Sequence, residues 1–298
     1  MNRESSSWWQ VYLPDLLLLL STVAWGLSFT ILKEIIGGPI SLFFFVFLRF
    51  FFSAIFLLIF FGKRLKMLNG DGIKSGIFLG VLIFAGFIAQ TMGLSYTTAS
   101  KSAFVTGLSA IFVPVFMLIH RRKLPESFML IALLLATLGM FLLTGPAGGE
   151  FNNGDILTLL CAIIFGGQIY YVSIIASKYD SLGLTTVEIT STAILAAMLL
   201  PFEHVHITIS WGTISALTFM TLFATVGGLT AQIWAQKRTP AVRAGLIFTA
   251  EPVFAYLFAS AILYEHFNSI QLFGAVIIIL AVLSSEVFPR LLPAKKEL

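Results

Sequence analysis

The chain has 298 residues, 58% of them hydrophobic and only 11% charged, with a net charge of +4 and a mean hydropathy of +0.97. Soluble domains carry roughly 25% charged residues, so this composition excludes a pair of soluble domains and describes a polytopic membrane protein. The lone Cys161 excludes an intrachain disulfide and most cysteine-rich metal sites.

Ten apolar segments, each close to the ~20 residues that cross a bilayer as a helix, read as spans at 14–36, 41–61, 74–96, 100–119, 126–143, 154–175, 183–201, 211–234, 241–262 and 268–288. The runs are continuous, whereas lipid-spanning strands alternate apolar and polar residues, so the expected fold is an all-α integral membrane protein. Span one continues past LLLLLSTVAWG to Ile36, longer than the apolar region of a secretory signal, and shows no small-x-small cleavage site. It carries Trp25 and Phe29, with Lys33 near its outer end placed as an interfacial anchor. Span two holds Arg49 inside FLRFFF. A cation there either snorkels outward or pairs within the bundle, a gating or structural role.

Span three brings Gln90 and span four Pro114. Span six clusters Phe165, Gln168, Tyr170 and Tyr171; aromatic walls with a few polar tips suit a pocket for organic solutes. Glu188 falls about one turn into span seven, where a carboxylate complements the helix N-terminal dipole. Gln232 of span eight resembles Gln90 of span three in position, and both amides offer donors and an acceptor to a polar solute.

Span nine contains the stretch FTAEPVFAYLFAS. An ionisable group at membrane depth costs at least about 2.5 kcal/mol on insertion scales, so Glu251 is expected to face a cavity and to bind a proton or a substrate ammonium. Accepting hydrogen bonds from backbone freed by Pro252 is the structural alternative, since proline removes a helical hydrogen bond. Pro114 and Pro252 mark expected bends at related places.

Charge fixes an orientation. With a cytoplasmic N-terminus, fifteen of the eighteen Lys and Arg residues fall on the cytoplasmic side, Lys33 and Lys101 outside, and Arg49 within a span. The positive-inside rule therefore places both termini in the cytoplasm of a multi-pass protein of the cell (inner) membrane. Basic residues spread over short loops in this way form no nucleic-acid patch.

A shift of about 140 residues brings the halves into register: Ala24-Trp25-Gly26 on Ile164-Phe165-Gly166, Gly86-x-x-Ala89-Gln90 on Gly228-x-x-Ala231-Gln232, and Pro114-Val115-Phe116 on Pro252-Val253-Phe254. Five spans per repeat is an odd number, so the second copy enters the membrane from the opposite side. Two inverted five-helix repeats, 1–147 and 148–298, form the architecture of many secondary transporters.

AWGLSFTILKE, FLRFFFSAIFLL, YTTASKSAFVTGLSAIFVPVF and RAGLIFTAEPVFAYLFASAILYEHFNSIQLFGAVIIILAVL together resemble the EamA-like family of the drug/metabolite transporter superfamily. The last block is the most specific, with TAEP, Glu265 after span nine and Gly274 in span ten. The resemblance implies ten spans, cytoplasmic termini, and a cavity lined mainly by spans one, three, four, six, eight and nine. It also implies transport of amino acids, related metabolites or drug-like compounds, often outward. The first-half counterpart of Glu265 falls among HRRKL, a departure from a duplicated acid.

No G-x-x-x-x-G-K-[ST] loop or G-x-S-x-G elbow occurs, and no catalytic set assembles at one depth. His204 and His206 lack the neighbouring cysteine or acid cluster of a metal site. The expectation is a non-enzymatic secondary transporter without cofactor, an exporter of small organic solutes such as amino acids or related metabolites, with protons as the candidate coupling ion. The substrate set is Trp25, Phe29, Gln90, Phe165, Gln168, Tyr171, Gln232 and Glu251; Arg49, Pro114 and Pro252 are the gating or structural set. A membrane enzyme acting on lipid-linked intermediates and a channel are the rival readings.

Overall fold

The computed structural model describes residues 8–35, 38–144, 152–263 and 268–291. In chain order its helices are α1 Trp8–Ile35, α2 Leu42–Phe61, α3 Gly70–Tyr96, α4 Ala99–Gly107, α5 Ser109–Arg121, α6 Ser127–Thr144, α7 Asn153–Ile175 and α8 Ser181–Ala197. They continue as α9 Trp211–Phe219, α10 Gly228–Ala235, α11 Ala241–Phe248, α12 Glu251–Leu263 and α13 Ser269–Leu291. Among the described residues the extended backbone amounts to one isolated antiparallel bridge, Ile40 to Ile207. Glu265 lies outside the described residues.

Several of the junctions are set by side-chain caps, which supply acceptors to the first-turn N–H groups that no helix can satisfy itself. Asn69 accepts from Gly72 N, Thr98 from Lys101 N and Asp180 from Gly183 N. Asn152 and Asp155 form a reciprocal capping box at the start of α7.

Among the described residues, eight stretches are long and apolar enough to cross a membrane: Tyr12–Ile35, Leu42–Met67, Gly70–Tyr96, Ala99–Arg121, Asn153–Ile175, Ser181–Phe202, Trp211–Ala235 and Ala241–Ile262. The apolar stretches of α6 and α13, Ser127–Leu143 and Ser269–Ser284, are shorter. The burial pattern is that of a lipid-solvated bundle. Ile59, Phe60, Ile119, Leu134 and Leu280 are exposed, while Thr22, Ser53, Ser102, Thr158 and Thr192 are buried. The hydroxyls of Thr22, Ser53, Thr158 and Thr192 close on their own helix's carbonyls, as Ser53 Oγ does on Arg49 O at 2.7 Å.

Three of these stretches are interrupted in their interior. Ala99–Arg121 breaks at Leu108 between α4 and α5, and Ala241–Ile262 breaks at Thr249–Ala250 between α11 and α12. Between α9 and α10 the chain widens into a π-helical segment, Met220–Gly227. Pro252 is thus not a kink in mid-helix. It stands in the first turn of α12, where its missing N–H costs no hydrogen bond, whereas Pro114 does sit inside α5.

Helices of one half pack chiefly against helices of the other: α3 on α7 and α8, α1 on α10 and α12, α5 on α7, α2 on α8, and α6 on α13. Close approaches recur at positions that the sequence shift relates. Gly86 of α3 abuts the Phe165 ring of α7, and Gly228 of α10 abuts the Trp25 indole of α1. Gly26 faces Phe254 of α12 as Gly166 faces Phe112 of α5. Gly139 and Gly274 let α6 and α13 meet backbone to backbone, since a Cβ on either would stand within 3 Å of the other helix.

These contacts leave no room for a methyl group. A Cβ at residue 86 would lie 2.2 Å from a ring carbon of Phe165, and one at residue 228 would lie 2.6 Å from Trp25 Nε1. Gly86→Ala and Gly228→Ala should each destabilise the bundle by about 1–3 kcal/mol through overpacking. Gly167→Ala, whose added Cβ meets the Phe116 ring at an ordinary 3.4 Å, should leave stability unchanged or slightly raised. Thermal melting of the detergent-solubilised variants checks the ordering.

Candidate functional site

The breaks and the tight crossings converge on one internal cavity. Its walls come from α1 (Trp25, Ser28), α3 (Ile83, Phe87, Gln90), α4 and α5 (Thr106, Ser109), α7 (Phe165, Gln168, Ile169), α10 (Leu229, Gln232), and α11 and α12 (Phe248, Glu251). The volume is about 50 Å³, room for a few waters at the ~10–15 Å³ each requires. In this conformation the cavity is too small for an organic solute.

Two aromatic plates form its sides. Trp25 is held by Nε1–H donating to Ala224 O at 2.8 Å and by its ring lying 5.2 Å from that of Phe248. The accepting carbonyl belongs to the π-helical segment. Phe165, the counterpart about 140 residues on, lies 5.4 Å from Phe87 edge to face.

Glu251 is the first residue of α12 and 8% exposed. A helix N-terminus offers partial positive charge and unpaired N–H groups, so the break at Thr249–Ala250 creates a place for a carboxylate at membrane depth. The chain break, more than the proline itself, accounts for the glutamate's position.

A chain of amides runs along the second-half wall. Gln232 Nε2 donates to Gln168 Oε1 at 2.9 Å and to Gln236 Oε1 at 3.2 Å. Gln168 Nε2 donates to Glu188 Oε1 at 3.3 Å, and Gln236 Nε2 to Ile169 O at 2.9 Å. Glu188 is fully buried, and its Oε2 has no hydrogen-bond partner among the described residues. The expected helix-start role for Glu188 is therefore corrected: α8 begins two turns earlier at Ser181, and the carboxyl points into the bundle towards a cavity-lining amide. Opposite, Gln90 Nε2 donates to Thr106 Oγ1 at 3.3 Å.

Six of the eight expected substrate residues line the cavity: Trp25, Gln90, Phe165, Gln168, Gln232 and Glu251. Two do not. Phe29 turns away into the apolar core with Leu32, Phe45 and Phe50. Tyr171 faces the outer side of α3, its hydroxyl 3.3 Å from Ser75 Oγ and its ring edge-on to Phe78 at 4.9 Å. Both spans are apolar all round, so composition does not fix their rotation.

Of the gating set, Arg49 is buried and does not snorkel. Its Nε donates to Thr225 Oγ1 at 2.6 Å, and its guanidinium lies 4.5 Å from the Phe87 ring centre. It thereby ties α2 to the π-helical segment and backs a cavity wall. Pro114 is buried in α5, and Pro252 packs over Gly107 at the end of α4. Lys33 is likewise corrected: its Nζ turns inward and donates to Leu94 O and Thr97 O at 3.0 and 2.7 Å, closing the end of α3.

Sequence reasoning missed Ser28, Thr106, Ser109 and Phe248. The repeat register could have found Ser28 and Ser109, which stand about 140 residues before Gln168 and Glu251; Thr106 and Phe248 are each other's counterparts and carried no such signal. A second, larger space of about 560 Å³ opens between Arg121, Glu126, Tyr170, Gln236, Thr239 and Arg243. On its rim Lys237 donates to Tyr179 O at 3.0 Å; burial lowers its pKa below the usual lysine value, with Asp180 acting in the opposite sense.

Comparison with known proteins decides the family. The EamA-like transporter family matches residues 13–145 and again residues 152–285. The chain belongs to the EamA-like transporter family. It is 33% identical over 269 residues to an uncharacterized transporter of Archaeoglobus fulgidus, covering 90% of this chain and 84% of that one. A second uncharacterized transporter, from Clostridium kluyveri, is 23% identical over 242 residues, 73% of each chain. A protein crystal structure shares the fold, with a TM-score of 0.78 at 15% identity over 97% of this chain and all of that one. This EamA-like chain is a multi-pass membrane transporter.

The Gln168–Glu188 contact gives a stability test. Glu188→Gln keeps an acceptor for the Gln168 amide and should cost little. Glu188→Leu leaves that buried donor unpaired, at about 1–3 kcal/mol. Thermal unfolding should rank wild type close to the Gln variant and well above the Leu variant.

Proposed function

We propose that this EamA-like transporter is a ten-span carrier exporting small organic solutes, such as amino acids or related metabolites, across the cell membrane by alternating access. Its halves, 1–147 and 148–298, are inverted five-helix repeats in this reading, with α6 and α13 as the fifth span of each and both termini cytoplasmic. The observation that carries it is the composition of the cavity wall. Trp25 pairs with Phe165, Ser28 with Gln168, Phe87 with Leu229, Gln90 with Gln232, Thr106 with Phe248 and Ser109 with Glu251 across the repeat shift. A site assembled at the repeat interface from discontinuous helices is what inverted-repeat carriers present in turn to each side.

The chemistry of the wall suggests the ligand class. Aromatic plates supply area for an organic body, and the amides of Gln90, Gln168 and Gln232 supply donors and acceptors. The carboxyl of Glu251 is suited to a substrate ammonium or to a coupling proton. The closed volume requires the halves to part before such a solute enters.

Counterflow in proteoliposomes preloaded with a mixed pool of amino acids and metabolites tests the reading. Saturable, accelerated exchange of one labelled pool member is expected, with loss in Glu251→Gln while the variant remains folded. Non-saturating flux without counterflow would indicate a channel. Exchange in Glu251→Gln with an undiminished response to an imposed pH gradient would remove Glu251 from proton coupling.

A further inference from the structure

Two ion pairs stand at repeat-related positions at the two ends of the cavity-forming helices. Asp15, near the start of α1, accepts from Thr239 Oγ1 at 2.8 Å through Oδ1 and from Arg243 Nη2 through Oδ2. Asp155, in the first turn of α7, accepts from Lys101 Nζ of α4 at 2.8 Å. The side chains are largely buried, 14% and 19% exposed in the first pair and 1% and 16% in the second.

Asp155 stands about 140 residues after Asp15, and Arg243 about 140 after Lys101, the same register that relates the cavity walls. Each pair joins the first span of one half to the fourth span of the other. Those spans carry Trp25 and Phe165 on one side of each joint, and Thr106, Ser109, Phe248 and Glu251 on the other. In inverted repeats, equivalent positions fall on opposite faces of the membrane. Charge places Asp15 and Arg243 on the cytoplasmic side, and Lys101 and Asp155 on the outer side.

The surroundings of the Asp15 pair give it something to close. Arg243 and Thr239 line the larger space, together with Tyr170 and Gln236. Gln236 of that space accepts from Gln232 of the cavity wall and donates to the carbonyl of Ile169, another cavity-lining residue. In this structure, where both pairs are formed, the cavity measures about 50 Å³. By contrast, Asp71–Lys74 is an exposed pair within one turn of α3 and bridges no spans.

We propose that Asp15–Arg243 and Lys101–Asp155 are the inner and outer gates of the transport cycle, broken in alternation. The structure then holds both shut. The proposal rests on the alternating-access reading above, but its test needs no solute. Asp15 and Asp155 act as repeat-equivalent latches, each on a different half, so neutralising one opens one side only.

The experiment uses the full chain with the single native cysteine replaced (Cys161→Ala) and Ser28→Cys as a reporter in the cavity wall. Reaction with a small membrane-impermeant methanethiosulfonate is timed in vesicles of known orientation. Asp15→Asn should raise the rate about tenfold from the cytoplasmic face alone, as expected when a minor open state becomes well populated. Asp155→Asn should raise it from the outer face alone. The swap Asp15→Arg with Arg243→Asp should return the cytoplasmic rate towards that of the parent, and Lys101→Gln, which leaves Asp155 in its capping box, should reproduce the outer-face rise.

Unchanged rates in folded variants, or a rise on the same face for both, would overturn the proposal. So would neutralised chains that fail to fold and are not rescued by the swap, which would assign the pairs to assembly. One-sided labelling without counterflow would keep the gates and challenge the choice of solutes. Counterflow without one-sided labelling would keep the carrier and remove the gates.

Discussion

Backbone polar groups at membrane depth must find partners within the protein, because hydrocarbon offers none. Irregular backbone is tolerated there only where it is buried or borders a cavity. This constraint orders the whole molecule. The three interruptions, at Leu108, Met220–Gly227 and Thr249–Ala250, all fall in helices that line the internal space. The carbonyls and N–H groups they release are answered locally: Ala224 O by Trp25, and the N–H groups of Val253 and Phe254 in the first turn of α12 by Ala250 O.

The same economy explains the glycines. A polar cavity needs stiff walls, and Trp25 and Phe165 are stiffened by lying flat against Gly228 and Gly86 of the opposing half. Van der Waals contact is the main attraction between helices in lipid, since apolar burial gains nothing there. Interhelical hydrogen bonds such as Gln232 to Gln168 add only about 0.6 kcal/mol each on average. Cohesion thus resides in close crossings more than in the amide chain.

Much of this was legible in the sequence for a definite reason. Span positions follow from hydropathy, and the cavity's centre follows from the duplicated Gly-x-x-Ala-Gln and aromatic-Gly patterns, which mark where two copies cross. Helix rotation was not legible. Gln168 and Tyr171 lie three residues apart, yet one enters the cavity and the other packs on Phe78. Phe29 adjoins Ser28 but belongs to the core. In an apolar span, lipid-facing and protein-facing sides look alike, so hydropathy carries no phase. Glu188 misled for a related reason: distance from a helix start reports depth, not direction. The breaks themselves have no sequence mark as plain as the prolines near them, because Pro252 follows its break and Pro114 lies a turn or more beyond Leu108.

The cavity wall is symmetric in position and unequal in chemistry. Ser28, Ser109 and Thr106 on one side stand opposite Gln168, Glu251 and Phe248 on the other. Two identical inverted halves would make the inward-open and outward-open forms mirror one another in energy, and a solute would then bind equally well from either face. Concentrating the carboxyl and two of the three amides in one half removes that degeneracy. A carrier of this build would hold its cargo with different affinity on its two faces, and the sequence divergence between its halves would measure how far it has become a rectifier.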